Sequence, residues 1–300
     1  MTDKFAVDKR QVRRAFEQAA PGYDAVAALQ DEVCRRMLAR LEYVKLEPAA
    51  ILDAGSGTGN AIPGLTTRYP RARIVALDLA HAMALRARSR RTRPGLGTVE
   101  GWRALLGGGE SVAAICGDIE SLPVGSAAVD LAWSNLALQW VNEPARAFGE
   151  LHRALRAGGL LMFSTFGPDT LKELREAWRA VDGRVHVNRF IDMHDIGDML
   201  VAAGFADPVM DMEYLTLTYA EARDLMRDLK ALGAHNVARG RPAGLSGKSG
   251  LAAVIRAYEA HRKDGRLPAT FEVVYGHAWK PQPKVTADGR PIIPVKAVPR

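Results

Sequence analysis

The sequence predicts an α/β fold: a doubly wound, mostly parallel seven-stranded sheet with an antiparallel edge strand, an N-terminal helical lid and a helical cap insertion. Three observations carry this. Five short apolar runs, each ending near Gly, Asp, Ser or Asn, alternate with helical patterns between residues 50 and 165, as in a parallel sheet covered on both faces. Two later stretches alternate apolar and polar residues in the manner of half-buried strands. The chain has 300 residues, 48% of them hydrophobic, enough for one sizeable core.

Taken in order, residues 8–45 read as helical through Val33, Met37, Leu38 and Leu41. Pro21-Gly22 breaks the stretch into at least two helices. The apolar runs follow at 50–53, 74–78, 112–116, 129–134 and 160–165. The helical pattern at 145–155 closes on Arg156-Ala-Gly-Gly. Beyond residue 165, stretches 168–181 and 193–203 read as helices, the second ended by Gly204. Residues 209–219 alternate, 220–262 are mainly helical with a glycine-rich break at 240–250, and 271–279 alternate again. The expected division is a lid at 1–45, a core at 46–219, a cap at 220–268, a last core strand at 269–280 and a flexible basic tail at 281–300. There is no internal repeat, and six glycines in 95–109 suggest an exposed loop.

A net charge of +7 invites a nucleic-acid reading. Five of the cations, however, fall in residues 280–300 against the single acid Asp288, together with five of the sixteen prolines. No aromatic residues interleave with the basic clusters and no zinc-finger spacing exists, so no nucleic-acid partner is expected. The cluster Arg86, Arg88, Arg90, Arg91 and Arg93 fits either a solvated helix end or a surface for an acidic partner. No apolar run reaches the ~18 residues of a membrane span, and the basic start lacks the apolar segment of a signal peptide. Cys34 and Cys116 form no disulfide framework and read as reduced thiols of a cytoplasmic protein. The seven histidines are scattered, so no metal site is expected.

The strongest motif is Ile51-Leu-Asp-Ala-Gly-Ser-Gly-Thr-Gly59, a buried strand running into a glycine-rich turn and a helical region. Gly55, Gly57 and Gly59 permit close backbone approach to a ligand. Asp78 ends the next strand, where a carboxylate accepts from ribose hydroxyls. Asp118 and Ile119 follow the third strand and suit the edge and face of an adenine. The acidic residue ahead of the first glycine, Asp53, would sit poorly beside a pyrophosphate. It suits a ligand with an ammonium and a sulfonium, which favours S-adenosylmethionine over a dinucleotide.

Residues 51–59, Asp78 and Gly117-Asp-Ile-Glu-Ser-Leu-Pro123 resemble the class I S-adenosylmethionine-dependent methyltransferases over residues 45–165. That resemblance implies Asp53 and Gly55 at the methionine moiety, Asp78 at the ribose, and Asp118 and Ile119 at the adenine. It also implies Asn135 near the transferring methyl. Ser56, Gly57, Gly59 and Leu79 complete the expected cofactor set. Five further elements extend over most of the chain: Phe16 to Asp24 with Gln30, Asp130 to Trp140, His186 to Phe190, Leu229 to Asn236, and Phe271 to Gly276. Together they resemble the malonyl-[acyl-carrier protein] O-methyltransferases of biotin synthesis. The resemblance implies methylation of the free carboxylate of a malonyl thioester, on an acyl carrier protein or coenzyme A.

For the acceptor, Tyr23 sits in the expected lid, and Gln139 and Trp140 follow the fourth strand. Arg189 is the first choice for holding the substrate carboxylate, because a guanidinium can clamp a carboxylate through two bonds; a surface ion pair is the competing reading. Arg146 and Lys230 come next, while His186 reads as a structural histidine. An acidic carrier would favour a positive rim, for which Arg239, Arg241 and Lys248 or the cluster at 86–93 are candidates. Two rival functions stay open: methylation of a quinone ring carbon, and a role on a partner protein's arginine, as in complex I assembly factors of similar fold.

Overall fold

The protein is described from a computed structural model, which covers residues 6–90, 112–182, 184–234, 236–238 and 247–283. The glycine-rich stretch at 95–109, Arg91, Arg93, Arg239, Arg241 and the tail from 284 lie outside the described residues, as does the side chain of Lys248.

Helices α1 (Lys9–Ala19) and α2 (Ala28–Arg40) precede the sheet, separated by a short 3-10 turn at Tyr23–Ala25. Asp8 starts α1 by accepting from the backbone N–H groups of Arg10 and Gln11, satisfying donors a helix start leaves free. Strand β1 (Ala50–Ala54), α3 (Ile62–Arg68), β2 (Arg73–Asp78), α4 (His81–Ser89), β3 (Ala113–Cys116) and β4 (Val129–Asn135) follow. Then come α5 (Pro144–Ala154), β5 (Leu155–Phe166), α6 (Lys172–Arg179), α7 (Met193–Ala202), β6 (Ala206–Tyr219), α8 (Ala222–Ala231), α9 (Lys248–Tyr258) and β7 (Leu267–Trp279).

The seven strands order as β3-β2-β1-β4-β5-β7-β6. The first five are mutually parallel, and β7 runs antiparallel to both β5 and β6. The reversed strand is therefore one place in from the edge, and β6 closes the sheet. The alternation of β6 between exposed and half-buried residues follows from that edge position, whereas β1 is buried along its whole length. One apolar layer gathers Leu65, Trp133, Phe271 and Tyr258, and the other gathers Leu52, Phe148, Phe163 and Leu200. Each such side chain contributes roughly 1.5–3 kcal/mol on burial. Among the described residues no helix is long and apolar enough to cross a membrane.

This topology positions the site. From β1 the chain winds outward through β2 and β3, then returns to β4 on the other side of β1. The loops at the carboxyl ends of β1 and β4 consequently diverge and leave a crevice.

Candidate active site

The turn after β1 is built on Leu77, whose carbonyl oxygen accepts from the N–H groups of Gly55 (2.7 Å) and Ser56 (2.9 Å). Gly55 has φ +79°, and a Cβ there would lie 2.2 Å from Ala137 Cβ, so no other residue fits without moving the β4 loop. The Gly57 N–H donates to Asp78 Oδ2 at 2.9 Å, and the Ala80 N–H to Asp78 Oδ1 at 2.8 Å.

One pocket gathers these groups. Asp53, Gly55, Ser56, Gly57, Asp78, Leu79, Asp118, Ile119, Asn135, Tyr23, Gln139 and Trp140 all line it. Two expected residues do not. Gly59 turns away: a Cβ on it would lie 2.9 Å from Ala87 Cα, so its smallness lets the turn pack on α4 rather than approach a ligand. Arg189 is exposed and outside the lining. Its neighbour Phe190 takes the inward position, edge-on to Phe166 at 5.7 Å, and Phe166 is what lines the pocket. Arg146 and Lys230 are also exposed and outside it. His186 bonds Asp182 Oδ1 at 2.8 Å and stacks on Trp178 at 3.6 Å, a structural setting.

Electrostatically the pocket is a wall of acceptors. Asp53 Oδ2, Gln30 Oε1 and Ser56 Oγ are buried with no hydrogen-bond partner among the described residues. Burial, and secondarily the charge of Asp78, push the Asp53 carboxyl up to about 7. Burial pushes Asp78 up to about 6, against the opposing effect of its two N–H donors. Burial first, then the carboxylates of Asp78, Asp31 and Asp24, push the Tyr23 phenol well above its ordinary range. Such a surface attracts a cationic ligand rich in donors and repels a phosphate.

The remaining side chains tie elements together around the pocket. Asn135 Nδ2 donates to Gln30 O (3.1 Å), and its Oδ1 accepts from Ser164 (2.9 Å), joining α2 to β5. Gln139 Nε2 donates to Leu136 O at 2.6 Å. Trp140 meets Phe16 edge-on at 5.4 Å.

The N-terminal segment, residues 7–17, is held against the rest of the chain by polar contacts. Val7 exchanges both backbone groups with the Asn142 amide (2.8 and 3.1 Å), and the Asp8 N–H donates to Val237 O at 2.9 Å. Lys9 Nζ reaches Asp118 at 2.8 Å and Glu120 at 3.1 Å. Glu17 accepts from the His81 and Ala82 N–H groups at the start of α4 (2.6 and 2.9 Å), a favourable place for a carboxylate.

The same stretch of chain matches known proteins. The methyltransferase domain family matches residues 52–163. The YcgJ protein from Bacillus subtilis superposes with TM-score 0.55 at 16% identity, over 83% of this chain and 99% of that one, a likeness of fold alone. A malonyl-[acyl-carrier protein] O-methyltransferase of Gallionella capsiferriformans is 56% identical over 97% of both chains. One of Nitrosospira multiformis is 56% identical over 93% of this chain and 92% of its own. The chain belongs to the malonyl-[acyl-carrier protein] O-methyltransferase family.

Within this methyltransferase family member, sequence reasoning missed several groups that the fold brings to the pocket. Lys9 is the only cation lining it among the described residues. Its contact with Asp118 spans 109 positions, and no local pattern marks it. Phe166, Leu232 and Ala234 also line the pocket. Gln30 follows the Phe16 to Asp24 element, yet its buried oxygen, without a partner among the described residues, is visible only in three dimensions. Among the described residues no three His, Cys, Asp or Glu side chains gather to hold a metal ion.

Proposed function

We propose that this chain transfers a methyl group from S-adenosylmethionine to the free carboxylate of a malonyl thioester. The thioester is carried on an acyl carrier protein or coenzyme A, and the methyl ester product opens the route to the pimeloyl chain of biotin. The observation that carries the cofactor half is the wall of acceptors without a partner among the described residues, Gln30 Oε1, Asp53 Oδ2 and Ser56 Oγ. S-adenosylmethionine presents donors and positive charge to such a wall. Asp53 and Gln30 would hold the ammonium, Asp78 the ribose hydroxyls, Leu79 and Ile119 the faces of the adenine, and Asp118 its amine. Bound there, it supplies an electrophilic methyl on a sulfonium. The substrate half is supported by the activity that full-length relatives carry in their names.

A malonyl carboxylate is ionised at neutral pH, with an ordinary pKa of about 4, and needs no general base. The chain's work is orientation and exclusion of water. Tyr23, with its phenol held protonated by burial and neighbouring carboxylates, acts as a hydrogen-bond donor to the acceptor and not as a base. Gln139, Trp140 and Phe166 shape the acceptor end. Arg189 has no part in this reading. Ring-carbon methylation of a quinone and action on a partner's arginine are not favoured by the full-length relatives. The unpaired thiols Cys34 and Cys116 support a reducing, cytoplasmic setting. The test is genetic: the wild-type sequence should restore biotin-free growth to a strain lacking this methylation, and Asp53→Asn should not. Failure of the wild-type sequence to rescue would overturn the proposal.

A further inference from the structure

The two pieces of chain that cover the pocket each turn a row of cations outward. On α1, Val12, Ala15 and Ala19 are buried, and Lys9, Val12 and Phe16 line the pocket. Arg10, Arg13 and Arg14 on the opposite side are exposed. On α8, Ala222 and Leu225 are buried, while Arg223, Arg227 and Lys230, four and three residues apart, are exposed on one face. The two elements meet. Leu232 and Ala234, just past α8, line the pocket. A Cβ on the intervening Gly233 would lie 3.1 Å from Ala15 O.

The acids of these two helices are already engaged. Glu17 caps the start of α4, Asp224 pairs with Arg227, Asp228 bonds Tyr219, and Glu221, just before α8, faces Arg262. That leaves Arg10, Arg14, Arg223 and Lys230 as an excess of positive charge over the pocket. Two arginines at the end of α4 are differently used: Arg86 donates to Pro21 O at 3.0 Å, and Arg90, just past the helix, pairs with Asp24 at 2.6 Å. They fasten the lid, so that part of the expected arginine rim is spent inside the molecule.

We infer that the outer surface of α1 and α8 docks an acidic carrier protein, which presents its acyl group to the pocket beneath. The inference rests on the malonyl-thioester reading above and names the surface through which that substrate arrives. Charge complementarity selects the partner. A row of cations with no ion-pair partner among the described residues raises the encounter rate and affinity for a highly anionic protein and does far less for a small thioester that carries a single charge. Because the cations stand on the elements that form the pocket's cover, docking and delivery occur at one place.

The experiment substitutes Arg10→Glu, Arg14→Glu, Arg223→Glu and Lys230→Glu together, with a matching set of glutamine substitutions that neutralises without reversing. Affinity for malonyl-carrier protein is read by fluorescence anisotropy. Methylation of malonyl-N-acetylcysteamine is measured in parallel. The expected result is a loss of carrier affinity of at least about tenfold for the glutamate set, a smaller loss for the glutamine set, and a wild-type affinity that falls with salt. Turnover of the small thioester stays within about twofold of wild type. Unchanged carrier affinity, or equal losses on both substrates, overturns the docking surface. If wild type methylates neither malonyl-carrier protein nor the small thioester while carrier binding is lost in the glutamate set, the malonyl reading fails and the docking surface stands. If the small thioester is methylated and carrier binding ignores the substitutions, the reverse holds.

Discussion

Asp53 and Asp78 stand at the carboxyl ends of adjacent strands, paired to the sheet through Ala76 and Cys116, with no cation between them among the described residues. Their raised carboxyl groups make a signed prediction. Burial disfavours the charged form, so the ligand-free fold gains stability from a protonated Asp53 and loses it as pH rises through about 7. A ligand bearing an ammonium and a sulfonium favours the ionised form. Binding should therefore release protons and tighten between about pH 5.5 and 8. Calorimetry of S-adenosylmethionine binding in buffers of different ionisation enthalpy measures this release at pH 6.5. Asp53→Asn should remove most of the release and weaken binding by about tenfold or more. An unchanged proton count would contradict the assignment.

Gly55 and Gly59 separate in the same way. Gly55→Ala drives a Cβ into Ala137 beside the ligand wall, and Gly59→Ala drives one into α4. Both should lower thermal stability, by about 2 kcal/mol. Only Gly55→Ala should also weaken the affinity of the folded protein for S-adenosylhomocysteine. Equal effects on affinity would return Gly59 to the binding set.

Among the elements, α1 owes its place to a few long-range bonds, the Asn142 amide against Val7 chief among them. Asn142→Ala leaves the Val7 N–H and carbonyl without those partners, a cost of about 1–2 kcal/mol. Hydrogen exchange across residues 7–19 should accelerate while amides of β1, β4 and β5 hold their protection. Uniform protection in the variant would show that the Asn142 amide does not hold α1 in place.

The same element marks how far the sequence could be read. That Asp53, Gly55, Asp78 and Asp118 share one end of the sheet was legible because strand periodicity fixes where a strand ends, and parallel strands end on one side of the sheet; Asn135 was expected there from the family resemblance. Lys9 was not, since nothing within α1 announces a carboxylate 109 residues away. The chemistry of Arg189 suits a carboxylate, but chemistry does not place a side chain. The direction of a side chain on an irregular segment follows no period, and Phe190 took the inward place. Alternation identified β6 and β7 as strands, but not which of the two sits inside. That order follows from the apolar content of β7, buried at nearly every position, against the half-exposed β6. Strand β5 begins at Leu155, directly after α5, five residues ahead of the expected run, because the backbone is already extended at Leu155 and the left-handed Gly158 (φ +78°) makes an irregularity within the strand instead of ending the helix.

For the molecule as a whole, a positive chain covers a pocket whose polar wall is negative. On the proposed reading, the pocket takes a cationic donor and the outer surface attracts an anionic carrier. Ionic strength should separate the two: raising salt to about 0.5 M should increase KM for carrier-bound substrate severalfold and leave that for a small malonyl thioester nearly constant. A common dependence would argue against the division.

The most direct test of the central claim is intact-mass spectrometry of malonyl-carrier protein after incubation with the purified protein and methyl-labelled S-adenosylmethionine. The account predicts one added methyl per carrier, removed by mild ester hydrolysis and lost when Asp53→Asn replaces the wild type. No mass gain on the malonyl group, or a methyl that resists ester hydrolysis, would contradict it.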